Sequence, residues 1–454
     1  MKRHGRLPAA LITTAALAAA ALFTVPHSAA AAPPAPQATV AVSKDPVPAL
    51  TRAASPLRST EPGGDLRDLR PLASMVGAAS VVGVGEATHN SHDFFTLKHR
   101  IFQALVEQKG FTTFALEASW STGLSLDRYV VSGVGDPREI MRREFQDSYL
   151  FWNVQEYLDL IEWMRSYNQT HARKLHFVGD DLGYVGPETI GRVTDYVRKT
   201  RPALLPGITR LYSGIPVETE VAPWTAAYFA KEVPERLKIE AAARQAVVLV
   251  ESLPASPERT WALQHARAVW QVAKLYSFDV EDPAAVLPQA MLFRDQVMAE
   301  NVTWWTRTTG GKVVLSAHNG HVTVKSTMPA EYPKAQGEFL REELGRRYVS
   351  VGLSFDHGSF NARDTEDPQG ATRTFTLGPA AEGNNEYTLD KVPYDDYLVD
   401  LRTLPRSTRS WLQVARSTRD IGTGYPMPDI PVALATSYDL LIHLNHVTAA
   451  DLLS

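Results

Sequence analysis

The stretch VVGVGEATHNSHDFF, Val81 to Phe95, decides how the rest of the chain is read. A continuous apolar run leads straight into Glu86 and His89, and a helical pattern begins within a few residues. An apolar run without polar alternation is what a strand covered on both faces looks like. The same arrangement recurs as FTTFAL before Glu117, LHFVG before Asp180, KVVLSA before His318 and YVSVGLSF before Asp356. Helical patterns lie between these runs. Asp93 to Gln108 places Phe94, Leu97, Ile101 and Leu105 at helical spacing and stops at Gly110, a C-terminal signal. Asn153 to Asn168 opens on Asn153 with Glu156 three positions on, as in a capping box. The alternation predicts an α/β fold with a central, mainly parallel sheet flanked by helices.

From about Pro187 to Trp305 the alternation stops. Long helical patterns such as Val233 to Leu253 and Thr260 to Phe278 follow one another with no strand between them. This predicts a helical insertion forming a lid or cleft wall, with a helical layer packed on the sheet as the alternative. Trp224, Tyr228, Trp261 and Trp270 would then line an apolar wall or serve as ordinary core.

At the N-terminus Lys2, Arg3 and Arg6 precede an Ala-rich apolar run, Leu7 to Val25, and the small residues Ser28, Ala29 and Ala30. Residues 1–30 read as a signal peptide, which implies a secreted or extracytoplasmic protein. The run nears the roughly 20 apolar residues that span a bilayer, so an uncleaved anchor is the alternative. After cleavage no stable membrane association is expected. Residues 31–62 are rich in Pro and Ala and read as a linker, leaving 63–454 as the folded domain. The absence of cysteine excludes disulfides, thiol catalysis and a lipoprotein anchor. A net charge of −4 with no basic patch gives no reason to expect a nucleic-acid partner.

In α/β sheets ligands bind in the crevice outside the carboxyl ends of the strands. Every strong strand candidate here ends in acids or histidines: Glu86 and His89, Glu117, Asp180 and Asp181, His318 and His321, Asp356 and His357. Singly, each could be a helix cap or a loop hydrogen bond; together they point to one site. Gly123-Leu124-Ser125 and Gly352-Leu353-Ser354 lack the last glycine of a nucleophile elbow. A phosphate-binding or dinucleotide glycine loop is also missing, so no nucleotide cofactor is expected. One remaining reading is a histidine base, oriented by a carboxylate, that activates water against an ester. The other is a divalent metal held by Glu86, His89, Glu117, His318 and His321.

GEATHNSHDFFTLKHRIFQALVEQKGFTTFALE, with the downstream SAHNGHV, resembles the erythromycin esterase family, and the similarity extends through FWNVQEYLDLIEWMRSYN, FVGDDLGY, RDQVMAENVTWW and DLLIHLNHVT. The resemblance implies a hydrolase without a metal or other cofactor, which opens a macrolide-type lactone by adding water. His89 would be the base, Glu86 and Glu117 would orient it or hold the water, and His318 and His321 would complete the site. One position departs: where the family has an arginine, this chain has Lys98, with Arg100 two positions on. Lysine keeps the charge but loses the planar fork. Lys98, Arg100, Asp180 and His357 are the candidates for contacting the substrate or its oxyanion. The implied partner is a small-molecule ester or lactone, macrolides among the candidates. A different ester, a metal-dependent hydrolase and an exported haem- or metal-binding protein are the competing readings.

Overall fold

A computed structural model describes residues 45–279 and 283–453. Its centre is a ten-stranded sheet. The strands are β1 (Ser55–Pro56), β2 (Val81–Val84), β3 (Thr113–Ser119), β4 (His176–Asp181), β5 (Val313–Ser316), β6 (Tyr348–Asp364), β7 (Thr372–Leu377), β8 (Asp396–Asp400), β9 (Gly424–Tyr425) and β10 (Leu440–Val447). The order is β1-β8-β10-β6-β2-β5-β3-β4, with β7 and β9 paired to the far part of β6. From β10 to β4 all neighbours are parallel, so six strands deliver their carboxyl ends to one rim. β8 runs antiparallel to β10 at the other edge. The mainly parallel α/β sheet expected from the apolar runs is therefore present, with an antiparallel margin.

Every residue of β2, β3 and β5 is buried, because helices cover both faces. The helices that matter for the site are α1 (His92–Lys109), α2 (Trp120–Ser132), α3 (Gln155–Thr170), α4 (Pro187–Thr200), α5 (Val221–Phe229), α6 (Val233–Glu251), α7 (Pro257–Leu275) and α8 (Pro283–Thr309). In α1, Phe94, Leu97, Ile101 and Leu105 are fully buried, and Gly110 ends the helix in the left-handed region with φ 68°. Glycine adopts that conformation without steric cost, and its N–H satisfies the last carbonyls.

Between β4 and β5, among the described residues, the chain is helical throughout. It has its own core, in which Trp224, Tyr228, Tyr276 and Tyr184 pack together, Trp224 meeting Tyr184 and Tyr276 edge-on at 5.5 and 5.4 Å. Trp261 packs on Trp304 at 4.9 Å, and Trp270 carries the Arg244 guanidinium at 4.6 Å. Trp224 and Tyr228 are thus fully buried core residues, Trp261 and Trp270 pack at core margins, and the insertion reaches the site through the charged residues of α8. No helix among the described residues is long and apolar enough to cross a membrane.

The structure corrects three expectations. Residues 45–62 are not the end of a linker: Val47–Ala53 is a helix that buries Leu50 completely, and Ser55–Pro56 pairs with β8. The signal-peptide residues and the first part of the linker, up to residue 44, lie outside the described residues. The capping box at Asn153 does not form. α3 starts at Gln155 with Val154 as its cap; Asn153 donates to the Leu453 carbonyl at 3.2 Å, and Glu156 accepts from His92 Nδ1 at 2.6 Å. A partner distant in sequence outbids the local cap. Strand ends also differ from the reading, since β3, β4 and β6 run on through Glu117, Asp180 and Asp181, and His357 respectively.

Candidate active site

β2 ends at Val84, and Gly85 follows where a side chain would collide with the Asn319 carboxamide. That amide bridges to β6, accepting from Leu353 N–H at 3.1 Å and donating to Leu353 C=O at 2.8 Å. Glu86 comes next, wholly buried. Its Oε1 accepts from His89 Nδ1 at 2.8 Å, and its Oε2 pairs with Lys98 Nζ from α1. Lys98 is itself fully buried and donates to Ser316 Oγ at 3.0 Å and to the Ala317 carbonyl at 3.3 Å. Burying either charge alone costs several kcal/mol, so the ammonium and carboxylate are tolerable here only as a pair with their remaining hydrogen bonds satisfied. Burial lowers the Lys98 pKa, opposed by the charge of Glu86. With Nδ1 committed to Glu86, the basic position left on His89 is Nε2. The ring lies edge-on to Trp152 at 4.9 Å and is 4.9 Å from the ring of His318.

A second charged group lies at the ends of β3, β4 and β5. Glu117 Oε1 accepts from Arg294 Nη2 of α8 at 2.9 Å, and Oε2 accepts from the His318 backbone N–H at 3.0 Å. Asp181 takes Arg294 Nε at 3.0 Å. His321 sits between Asp295 Oδ1, 2.8 Å from Nδ1, and Glu117 Oε1, 3.3 Å from Nε2. Burial works against charge on His321, but Asp295 and Glu117 outweigh it and raise its pKa to about 10. Arg294 Nη1 also stands 3.3 Å from His321 Nε2 and cannot donate to a protonated nitrogen; Glu117 is the partner that a protonated ring takes. Burial would push Glu117 up, yet His321, His89 and Arg294 hold its carboxyl well below the usual range. Glu117 is thus an anion with cations on one side and the His318 amide on the other.

His318 caps the short helix Asn319–Val322, its Nδ1 accepting from Gly320 N–H at 3.2 Å. An Nδ1 that accepts leaves the ring proton on Nε2. This nitrogen lies 3.2 Å from Asp420 Oδ1. Burial holds the His318 ring well below the usual imidazole range and pushes Asp420 up to about 8. Asp420 arrives on a loop that hydrogen-bonds to the segment after β2: Ile421 N–H to the Ala87 carbonyl at 2.7 Å, and His89 N–H to the Gly422 carbonyl at 3.0 Å. Gly422, at φ 63°, lets this loop pass close over both His89 and His318.

The structure therefore brings together Glu86, His89, Glu117, His318 and His321. Lys98 joins them from beneath, as the brace of Glu86 and not as a contact for substrate. A single ammonium suits the one carboxylate oxygen offered. Asp180 is buried close by, but its Oδ2 accepts from Gln336 Nε2 at 2.6 Å, and burial next to Asp181 keeps its carboxyl well above the usual range. Arg100 is apart from the set: two positions from Lys98 on a helix, it faces away and clamps Asp68 with bonds of 2.6 and 3.0 Å. His357 is also apart, 3.2 Å from Asp356 and stacked edge-on with His446 at 5.0 Å. Asp181, Arg294, Asp295 and Asp420 were not singled out as site residues by spacing alone; only Asp181 had the strand-end signal, as the neighbour of Asp180.

Among the described residues, the metal-ligating atoms of three acids or histidines converge within 4.8 Å only at His92, Glu156 and Asp451, at the start of α1 and α3. At the rim itself the carboxylates of Glu86, Glu117 and Asp181 are already taken by Lys98 and Arg294, whose charges oppose a divalent ion. What remains exposed to chemistry is a histidine with one oriented and one basic nitrogen, flanked by a permanently charged layer.

A family model described as erythromycin esterase matches residues 106–447. The chain is similar to erythromycin esterase type II of Escherichia coli, 23% identical over 375 residues, 78% of this chain and 88% of that protein. It is also similar to the putative hydrolase YbfO of Bacillus subtilis, 22% identical over 423 residues, 88% of this chain and 90% of that protein. Among solved structures, a Bacillus cereus protein superposes with a TM-score of 0.81 at 30% identity, covering 90% of this chain and 98% of the other. A mutant of the erythromycin esterase EreC in an open conformation shares the fold, with a TM-score of 0.67 at 18% identity over 86% of this chain and 97% of that one. Matched over the greater part of its length, and with its paired acids and histidines at the rim of the same fold, the chain belongs to the erythromycin esterase family of hydrolases.

Proposed function

We propose that the protein is an exported ester hydrolase that opens lactones of the macrolide type with water, using His89 as the base and no metal. The observation that carries this reading is the Glu86–His89 hydrogen bond of 2.8 Å on a carboxylate that pairs with Lys98 from beneath. Glu86 fixes the ring with Nδ1 as donor, so Nε2 can take a proton from water, and it stabilises the imidazolium that results. The water oxygen then adds to the ester carbonyl. His321 and Arg294 both contact Glu117 Oε1, and positive charge at the site would favour negative charge on the tetrahedral intermediate. The family supports ester hydrolysis, and the E. coli esterases give macrolides priority among substrates.

The test is mass spectrometry of a panel of macrolides and simpler lactones incubated with the mature protein and a chelator. A gain of one water, lost in His89→Ala, is the expected result. Activity that disappears on chelation and returns with a divalent ion would transfer the reading to a metal-dependent hydrolase. Export is tested by the N-terminal mass of protein recovered outside the cell, expected to begin near residue 31.

A further inference from the structure

Besides His321 with Asp295 and Glu117, the site holds two histidine–carboxyl pairs, and the hydrolase reading uses only one of these two. In the first, Glu86 bonds to His89 and is braced by the buried ammonium of Lys98. In the second, Asp420 Oδ1 faces His318 Nε2 at 3.2 Å, and the two rings are 4.9 Å apart. The second pair has no brace. Arg419, the neighbouring cation, turns its guanidinium away to the carbonyls of Asp356 and Gly378, and its backbone N–H goes to Glu386 at 3.1 Å. Asn319 is held by Leu353 through its carbonyl oxygen and one amide hydrogen, and its interaction with Asp420 only partly offsets the burial of that carboxyl. Neither Asp420 oxygen has a well-aligned hydrogen-bond donor, although the residue is 4% exposed. An unpaired carboxyl in such a place is more stable protonated.

Ester cleavage needs both a base for the attacking water and an acid for the departing alcohol. We propose that Asp420 is that acid, giving its proton to the alcohol oxygen as the ester C–O bond breaks, with His318 as the positioning residue that orients its carboxyl. Gly320 N–H on His318 Nδ1 places the ring proton on Nε2, so the ring can donate to one Asp420 oxygen and leave the O–H on the other free for the leaving group. His89 gains the proton that water loses. The water oxygen bonds to the carbonyl carbon, the C–O bond breaks, and Asp420 is left as a carboxylate that the His318 N–H stabilises. Return of one proton from His89 to Asp420, through solvent, resets both groups. The loop that carries Asp420 also accepts the His89 N–H through the Gly422 carbonyl, so one segment sets the spacing of acid and base. Burial pushes Asp420 up to about 8, with Asn319 and the charge on His321 opposing and the buried Tyr438 also facing it.

This inference rests on the hydrolase reading, and the test separates the two. Wild type and Asp420→Asn, each as the full mature chain, are compared on erythromycin, an alkyl butyrate and p-nitrophenyl butyrate across pH 6 to 9 by about half-unit steps. The variant is expected to lose about 10²- to 10⁴-fold in kcat on erythromycin and the alkyl ester. It should change little on the nitrophenyl ester, whose leaving group needs no proton, and the high-pH fall in the wild-type profile should disappear. Infrared difference spectra of wild type against the variant should show a protonated carboxyl at pH 7. Equal losses on alkyl and aryl esters, or no protonated carboxyl, would overturn the acid role while ester turnover by wild type still stands. If wild type cleaves none of the esters, the hydrolase reading falls and takes the acid role with it. Asp420→Ser replaces the Asn variant if circular dichroism finds the latter unfolded.

Discussion

Replacing Lys98 by methionine removes a buried ammonium while keeping most of the side chain's length and packing. In the native protein that ammonium serves three acceptors: Glu86 Oε2, Ser316 Oγ and the Ala317 carbonyl. Glu86 is the important one, because both of its oxygens are buried and His89 is its one other side-chain partner named at the site. Breaking a buried ion pair from one side costs about 3–5 kcal/mol, since the remaining charge is left uncompensated. Glu86 would be left without its cation, and the hydrogen bond by which it orients His89 would lose its brace. Lys98→Met is therefore expected to lower both urea stability, by about 3–5 kcal/mol at constant m-value, and turnover. Lys98→Met with Glu86→Gln removes both charges, and replacing a buried pair by groups of similar volume is often close to neutral. The double variant should be more stable than Lys98→Met alone, yet inactive. Urea titrations of the four proteins by circular dichroism give the coupling energy. A loss below about 1 kcal/mol in the single variant, or a double variant less stable than it, would refute the view that Lys98 and Glu86 form a coupled buried pair.

Three other outcomes follow from the structure. The pKa of His321 is raised from 6.5 to about 10, so its stabilisation is full below about pH 6.5 and fades as pH rises toward 10. Urea midpoints of wild type and His321→Gln should differ most near pH 6.5 and converge by pH 10; a gap that widens with pH would contradict the assignment. Arg100→Ala should cost about 3–5 kcal/mol through the stranded Asp68 while leaving KM for any turned-over ester as in wild type; a raised KM would place Arg100 back at the substrate. Leu105→Ala, at a fully buried position of α1, should lower stability by about 2–5 kcal/mol, and a change under 1 kcal/mol would mean that the helix is not packed as described.

The sheet was legible because its central strands are buried on both faces, and burial leaves a continuous apolar run in the sequence. α1 was legible for a related reason: its stripe, Phe94, Leu97, Ile101 and Leu105, and its stop at Gly110 are local signals that the tertiary structure does not override. Strand ends pointed to Glu86, His89, Glu117, His318 and His321, but the same signal also picked His357, which lies apart beside Asp356 and His446. Exact strand limits were not legible, because an acid inside the last residues of a buried strand, such as Glu117 in β3, looks the same as one just beyond it. Nor could spacing reveal the partners. Arg294 and Asp295 sit on a helix whose neighbouring residues Met291, Val297 and Met298 pack into a separate core, and Asp420 lies in a loop without periodicity. Arg294 is a site residue through contacts with Glu117 and Asp181 far back in the sequence, Asp295 through His321, and Asp420 through a loop crossing. The roles of Lys98 and Arg100 depended on which face of α1 turns inward, and that is decided by Glu86 and Asp68 as partners. At Asn153 the local capping pattern was present, but Glu156 found His92 instead.

The most direct test of the central claim is a single turnover of erythromycin by excess protein in water labelled with heavy oxygen. Direct attack by a water that His89 activates puts one labelled oxygen into the new carboxylate in that first turnover, and both His89→Ala and Glu86→Gln, still folded by circular dichroism, give no product. An unlabelled first-turnover acid, which an attacking enzyme carboxylate would leave, or labelled product from His89→Ala at the wild-type rate, would contradict it.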